Sequence, residues 1–215
     1  MPITYPERLD TLVAIGEGQD GYFTTEQARA AGLSLQALVS MERAGHLERE
    51  QYGVYHLTRW PSSDRPGLWR AYLWATRIDS RASFSHRTAL ELHGVSDVNP
   101  AKIDVTFPPD ARIRSTKPPA VVAYWRILPE ADAEERDGLR VTTLYRTLLD
   151  LATDRLAQDA VADVLDRGSS LNLEPPQLQQ IRAICDLSDE TRRYLTGALS
   201  IAPRVQGVPR VHGKP

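Results

Sequence analysis

Several residue groupings in this chain carry chemistry in other proteins. Gly16-Glu17-Gly18-Gln19-Asp20-Gly21 has the G-x-G-x-x-G spacing of loops that approach phosphates. Such a loop normally follows a strand, and in kinases a strand lysine comes roughly 15 residues later. Here the glycines follow a helical pattern and no lysine occurs before Lys102, so they read as a loop that ends a helix. None of the three lysines, Lys102, Lys117 and Lys214, has an acidic residue two positions before it, which removes the E-x-K core of many nucleases. His86 and His93 have no third ligand at metal spacing, so capping and core roles fit them better and no metal is expected. The single cysteine, Cys185, excludes an intramolecular disulfide framework and a Cys-rich zinc site.

Two groupings remain. Thr142 to Leu151 opens a helix in which Arg146 and Asp150 stand at i, i+4 behind Thr143. One reading is an internal ion pair plus a cap. The other is a polar site in which Arg146 stabilises charge, while Asp150, beside Thr147, holds a metal or accepts a hydroxyl proton. His86 and Arg87 join this candidate set. The second grouping is Ser34, Gln36, Ala37, Ser40 and Arg43, where an amide suited to adenine precedes a guanidinium suited to guanine or phosphate.

These side chains need elements to present them. Tyr5 to Ile15 places Leu9, Leu12, Val13 and Ile15 at helical spacing, ended by Gly16, Gly18 and Gly21. Thr24-Thr25-Glu26-Gln27 has the form of a capping box for a helix over Thr25 to Ala31, closed by Gly32. Ser34 caps a third helix, in which Leu35, Leu38, Val39 and Met41 face a core before Gly45. Leu47 and then Val54, Tyr55 and Leu57 flank a turn at Gln51-Tyr52-Gly53, which predicts a small hairpin. Helix, helix, helix, hairpin is the order of a winged helix-turn-helix over residues 1–60. Thr25, Ser34, Gln36, Ala37, Ser40 and Arg43 are then its candidate DNA contacts, with Arg49 and Tyr52 on the wing. The alternative is a winged helix that only contacts protein, for which Glu48 and Glu50 beside the wing speak, but DNA binding is the expectation.

Residues 61–67, rich in Pro, Ser and Gly, read as a linker between two independent cores. Beyond it an amphipathic helix is predicted over Leu68 to Ile78 and a short one from Ser85, its cap, to His93. Ile103 to Phe107 and Val121 to Leu128 predict a small sheet. From Thr143 the pattern is helical to Ile201, broken at Gly168 to Pro176 and around Asp186 to Asp189. The expected fold is α+β: a winged helix-turn-helix, then an α+β domain over 68–202 with a small sheet and a helical C-terminal end. Residues 203–215 are expected to be a mobile tail.

Composition narrows the partners. The net charge of -2 and 23 arginines among 26 basic residues leave no strongly basic region, so DNA binding rests on local placement. One local excess is Arg59, Arg65, Arg70, Arg77, Arg81 and Arg87 against Asp64 and Asp79. The longest stretch without charge, Ala30 to Met41, is far short of a membrane span, and Met1 to Glu7 does not resemble a secretory signal. A cytoplasmic chain without membrane contact is expected.

Read together, several segments resemble the AbiEi family of antitoxins from type IV (abortive-infection) toxin-antitoxin systems. They are Gly21 to Ala28, Ala31 to Ser34, Gly45 to Arg49 with Gly53 to Tyr55, Ser85 to Leu90 with Leu92 to Gly94, and Val141 to Asp150, in one order over about residues 20–152. The resemblance implies a winged helix-turn-helix that represses its own operon at operator DNA, and a C-terminal domain that neutralises a cognate nucleotidyltransferase-like toxin. Many relatives look basic at the wing turn, whereas this chain has Glu50-Gln51-Tyr52. A non-enzymatic antitoxin needs no cofactor. The alternative is an atypical phosphotransferase that inactivates its toxin with ATP and magnesium, for which Arg146, Thr147 and Asp150 are the candidates.

Overall fold

The computed structural model describes residues 4–61, 65, 67–167 and 171–187, and in them the chain builds two sheets. Helix α1 (Tyr5–Gly16) starts at a capping box between Thr4 and Glu7. Strand β1 (Tyr22–Thr24) runs into α2 (Thr25–Ala30), where the Thr24 hydroxyl accepts from the Gln27 amide at 3.1 Å and the Gln27 side chain accepts from the Thr24 amide at 2.8 Å. The turn at Gly32 leads to Ser34, whose hydroxyl caps α3 (Leu35–Arg43). β2 (Leu47–Gln51) and β3 (Val54–Leu57) form the antiparallel wing, with Leu47 opposite Leu57. β1 pairs with the other edge of β3, Tyr22 opposite His56, so the sheet order is β1-β3-β2. The third strand escaped the sequence reading because it is three residues long and its partner is distant in the chain. Leu12, Phe23, Leu38, Met41, Tyr55 and Leu57 close the core between helices and sheet. Burying such side chains stabilises by roughly 1.5–3 kcal/mol each.

The second half is α4 (Leu68–Ile78), β4 (Ser83–Phe84), α5 (His86–His93), β5 (Ile103–Phe107), β6 (Val121–Trp125), β7 (Ala133–Arg136), β8 (Leu139–Thr142), α6 (Leu144–Asp154), α7 (Gln158–Asp166) and α8 (Pro175–Cys185). Its five strands lie in the order β6-β5-β4-β8-β7. β4/β5 and β7/β8 are antiparallel, and β5/β6 and β4/β8 are parallel. Trp74 of α4 packs with Phe84, Phe107, Val121 and Val141 of the sheet, while Leu90, Leu148, Leu151, Val164 and Ile181 join α5 to α6, α7 and α8. The α+β class with a winged-helix start is as expected, but β4, β7 and β8 were not foreseen. β7 reads Ala-Glu-Glu-Arg, a poor strand former stabilised by its pairing with β8. The helical run after Thr143 also breaks earlier than expected, at Arg155 and Ala157, both with positive φ. The residues beyond Leu187, including the expected helix to Ile201 and the tail at 203–215, lie outside the described residues.

On either side of the predicted linker, of which Ser62, Ser63, Asp64 and Pro66 lie outside the described residues, the winged-helix core and the core between α4 and the second sheet are separate clusters. A further, small cluster bridges them, with Leu73 of α4 packed on Tyr22 and Val54. Polar contacts reinforce that joint. Arg70 binds Glu50 at 2.8 Å, Gln51 Nε2 donates to the Arg70 carbonyl at 3.2 Å, and Arg77 holds Glu26 at 3.0 Å and donates to the Tyr52 carbonyl. The wing turn favours glycine at position 53, where φ is 72° and a Cβ would come within 2.5 Å of the Arg77 guanidinium and displace it.

Candidate nucleic-acid interface and a buried arginine–aspartate network

Helix α3 owes its orientation to its core face. Ala37, Leu38 and Met41 recur at helical spacing and are buried, which turns Gln36, Ser40 and Arg43 to solvent. Two expected DNA contacts therefore change role: Ala37 packs inward, and Thr25 is buried under the wing with its amide bonded to the Gly53 carbonyl at 3.0 Å. Ser34 is exposed but uses its hydroxyl as the cap, accepting from the Ala37 amide at 3.2 Å. Leu35 reverses in the other direction. Assigned to the core by periodicity, it is 45% exposed at the N-terminal end of α3, beside Gln36. The wing presents Arg49 and Tyr52: Tyr52 is 72% exposed, and the Arg49 and Arg77 guanidinium groups approach its ring centroid at 5.6 and 5.5 Å. Glu50, the acid that made wing contact questionable, is turned toward α4 and neutralised by Arg70.

The second grouping is brought together but enclosed. Arg146, Thr147 and Asp150 are all buried, Asp150 at 1% exposure, because α6 turns this face toward the sheet. Arg146 Nε donates to Asp150 Oδ2 at 3.0 Å, while its other nitrogens donate to Asp132 at 2.9 Å and the Ile127 carbonyl at 3.1 Å. The remaining Asp150 oxygen accepts from Arg126 at 2.8 Å, and Arg126 also donates to Asp154 Oδ1 at 2.6 Å. With both carboxylate oxygens of Asp150 held by guanidinium groups, the side chain is not free to bind a metal or take a substrate proton. The arginine and the aspartate of the expected cluster belong in this structure to an internal ion network, while Thr147 bonds elsewhere, sharing a hydrogen bond with the Thr142 hydroxyl at 2.7 Å. Burial works against the Arg126 charge, but Asp150 and Asp154 outweigh it and raise the guanidinium pKa above its ordinary value. Burial likewise pushes Asp154 upward, yet its bonds to His86 and Arg126 leave its pKa below the usual carboxylate value.

His86 and Arg87 extend the network. His86 Nε2 meets Asp154 at 3.1 Å, Nδ1 meets the Ser85 hydroxyl at 2.8 Å, and the ring stacks on Tyr124 at 3.8 Å. These contacts hold His86 at φ 50°, in the left-handed region that few residues other than glycine adopt. Ser85, expected to cap α5, makes no cap bond and instead accepts from Thr106 at 2.8 Å. Serine, histidine and aspartate thus form a relay, but Ser85 and His86 are wholly buried, out of reach of a substrate. Arg87 pairs with buried Asp104 at 3.0 Å, and His93 Nε2 donates to the Thr142 carbonyl at 2.8 Å. Among the described residues no three His, Cys, Asp or Glu side chains form a group able to hold a metal. The sequence reading missed Arg126, Asp132 and Asp154. Only Asp154, four residues after Asp150, left a helical-spacing signal.

A winged helix that displays a polar helix face is joined here to an α+β unit stabilised by a buried ion network. Residues 10–58 match the family model described as "Transcriptional regulator, AbiEi antitoxin", and residues 82–198 match that described as "AbiEi antitoxin C-terminal domain". The chain belongs to the AbiEi antitoxin family. Among solved structures, the crystal structure of the RV2827C protein from Mycobacterium tuberculosis shares the fold. Its TM-score is 0.54 at 16% identity, over 92% of this chain and 83% of that one. No curated protein matches the chain. Among the described residues no helix is long and apolar enough to cross a membrane.

Proposed function

We propose that this antitoxin represses its own promoter through α3 and the wing, and neutralises a nucleotidyltransferase-like toxin with its C-terminal half by non-covalent binding. The carrying observation is the exposed row Gln36, Ser40 and Arg43 on a helix whose opposite face is buried. Gln36 suits an adenine edge and Arg43 a guanine edge or a phosphate, while Leu35 offers apolar contact to a thymine methyl. Replacing Gln36 or Arg43 by Ala lowers affinity for the promoter by about 1–3 kcal/mol if either reads a base. Mobility-shift titrations at several salt concentrations test this, and variants that bind like the wild type remove those residues from the interface. For the C-terminal half, the enclosure of Asp150 by Arg126 and Arg146 supports binding over phosphoryl transfer. Rescue then tracks one-to-one complex formation. A toxin that gains one phosphoryl group after incubation with substoichiometric antitoxin, ATP and magnesium would establish the enzymatic alternative.

A further inference from the structure

From the geometry beside the wing we infer that the loop between β5 and β6, residues 108–120, is a second DNA-contact surface that grips the phosphate backbone next to the wing. This rests on the reading of α3 as the recognition helix. The loop and the wing tip enclose two adjoining clefts of about 430 and 450 Å³, with Tyr52, Trp74 and Ser115 common to both.

The loop is held in place. Trp74 Nε1 donates to the Ser115 hydroxyl at 3.1 Å, Trp125 Nε1 donates to the Ala111 carbonyl at 3.3 Å, and Ile113 packs onto the core. Its neighbours Arg112, Arg114 and Lys117 are exposed. Among the described residues Arg112 donates to the Pro109 and Ala111 carbonyls and Lys117 to the Val121 carbonyl, bonds to neutral groups that leave both side chains outside any ion pair. Of the carboxylates at the joint, Glu50 is paired with Arg70 and Glu26 with Arg77, while Asp79 and Asp110 share Arg81 and leave one negative charge against the three cations. Three cations on a pinned loop therefore face solvent beside a wing that carries Arg49 and the exposed Tyr52 ring. Spaced cations suit a repeating phosphate, and the amide that shares the cleft, Gln51, already spends its Nε2 on the Arg70 carbonyl, so the loop should add affinity and footprint length without sequence preference.

The test is fluorescence-anisotropy titration of the full-length protein on promoter DNA and on unrelated duplex across a salt series, with a triple variant Arg112→Ala, Arg114→Ala, Lys117→Ala. Loss of three phosphate contacts should reduce the slope of log affinity against log salt by about 2.7, making the loss between about 50 and 200 mM salt roughly 40-fold smaller. The reduction should appear on both duplexes. Arg112→Lys with Arg114→Lys should restore the slope, since lysine keeps the charge. An unchanged slope in a variant with wild-type circular dichroism overturns the inference. If that variant instead fails to neutralise the toxin, the loop is a docking surface for an acidic protein. Loss of binding in Gln36→Ala or Arg43→Ala with an unaltered loop variant would overturn the loop alone. A wild type that ignores promoter DNA would overturn the reading of α3 as well.

Discussion

Replacing Asp150 by Asn separates a structural network from a chemical site. The change keeps the side chain's volume but removes the charge between Arg126 and Arg146, and it places an amide donor against a guanidinium donor. Removing one partner of a buried ion pair costs about 3–5 kcal/mol. Arg126 retains Asp154 and Arg146 retains Asp132, which places this case near the lower end, about 3 kcal/mol. For a chain of this size each kcal/mol moves the melting temperature by about 2–4 °C, so a fall of roughly 6–12 °C is expected. Scanning calorimetry reads the loss, and the intact mass of the toxin after incubation with ATP and magnesium reads any chemistry in parallel. The reasoning is refuted by a variant that melts with the wild type yet no longer rescues cells, because Asp150 would then act on the toxin rather than within the fold.

Other consequences follow from the cores and from burial. Leu38→Ala, at a wholly buried position of α3, should destabilise the winged helix by about 2–5 kcal/mol and weaken promoter binding with it. An unaltered urea midpoint would show that α3 is not held as described. Burial outweighs the Thr142 bond and keeps the His93 pKa below its ordinary value, so the folded state resists protonation. Its stabilising contribution is complete above the unfolded value of about 6.5 and is lost as pH falls below it. Melting temperature against pH should therefore decline less steeply for His93→Gln than for the wild type in that range. Parallel curves would rule out His93 as a source of the acid sensitivity.

The capping boxes, the helical spacing and the turn glycines are local, and each marks its element without help from the rest of the chain. Thr24 with Gln27, Ser34 before α3, and Leu38 with Met41 identify the winged helix because a helix start and a buried stripe depend on neighbours within a few positions. The pairing of Arg146 with Asp150 was legible for the same reason. Whether that pair was exposed or enclosed was not, because Arg126 arrives from the end of β6 and Asp132 from the turn before β7. The charge pattern shows the same division. The arginines between Arg59 and Arg87 look like a basic patch along the chain, yet Arg70, Arg77, Arg81 and Arg87 each meet a carboxylate from a different element. Arg112 and Arg114 drew no notice in the sequence and Lys117 only as a lysine without a nuclease motif, yet the fold leaves all three exposed beside the wing. Caps and amphipathic stripes are short-range, so sequence order records them. Burial and charge compensation depend on which distant segments the fold brings within a few ångströms, and only the tertiary structure decides that.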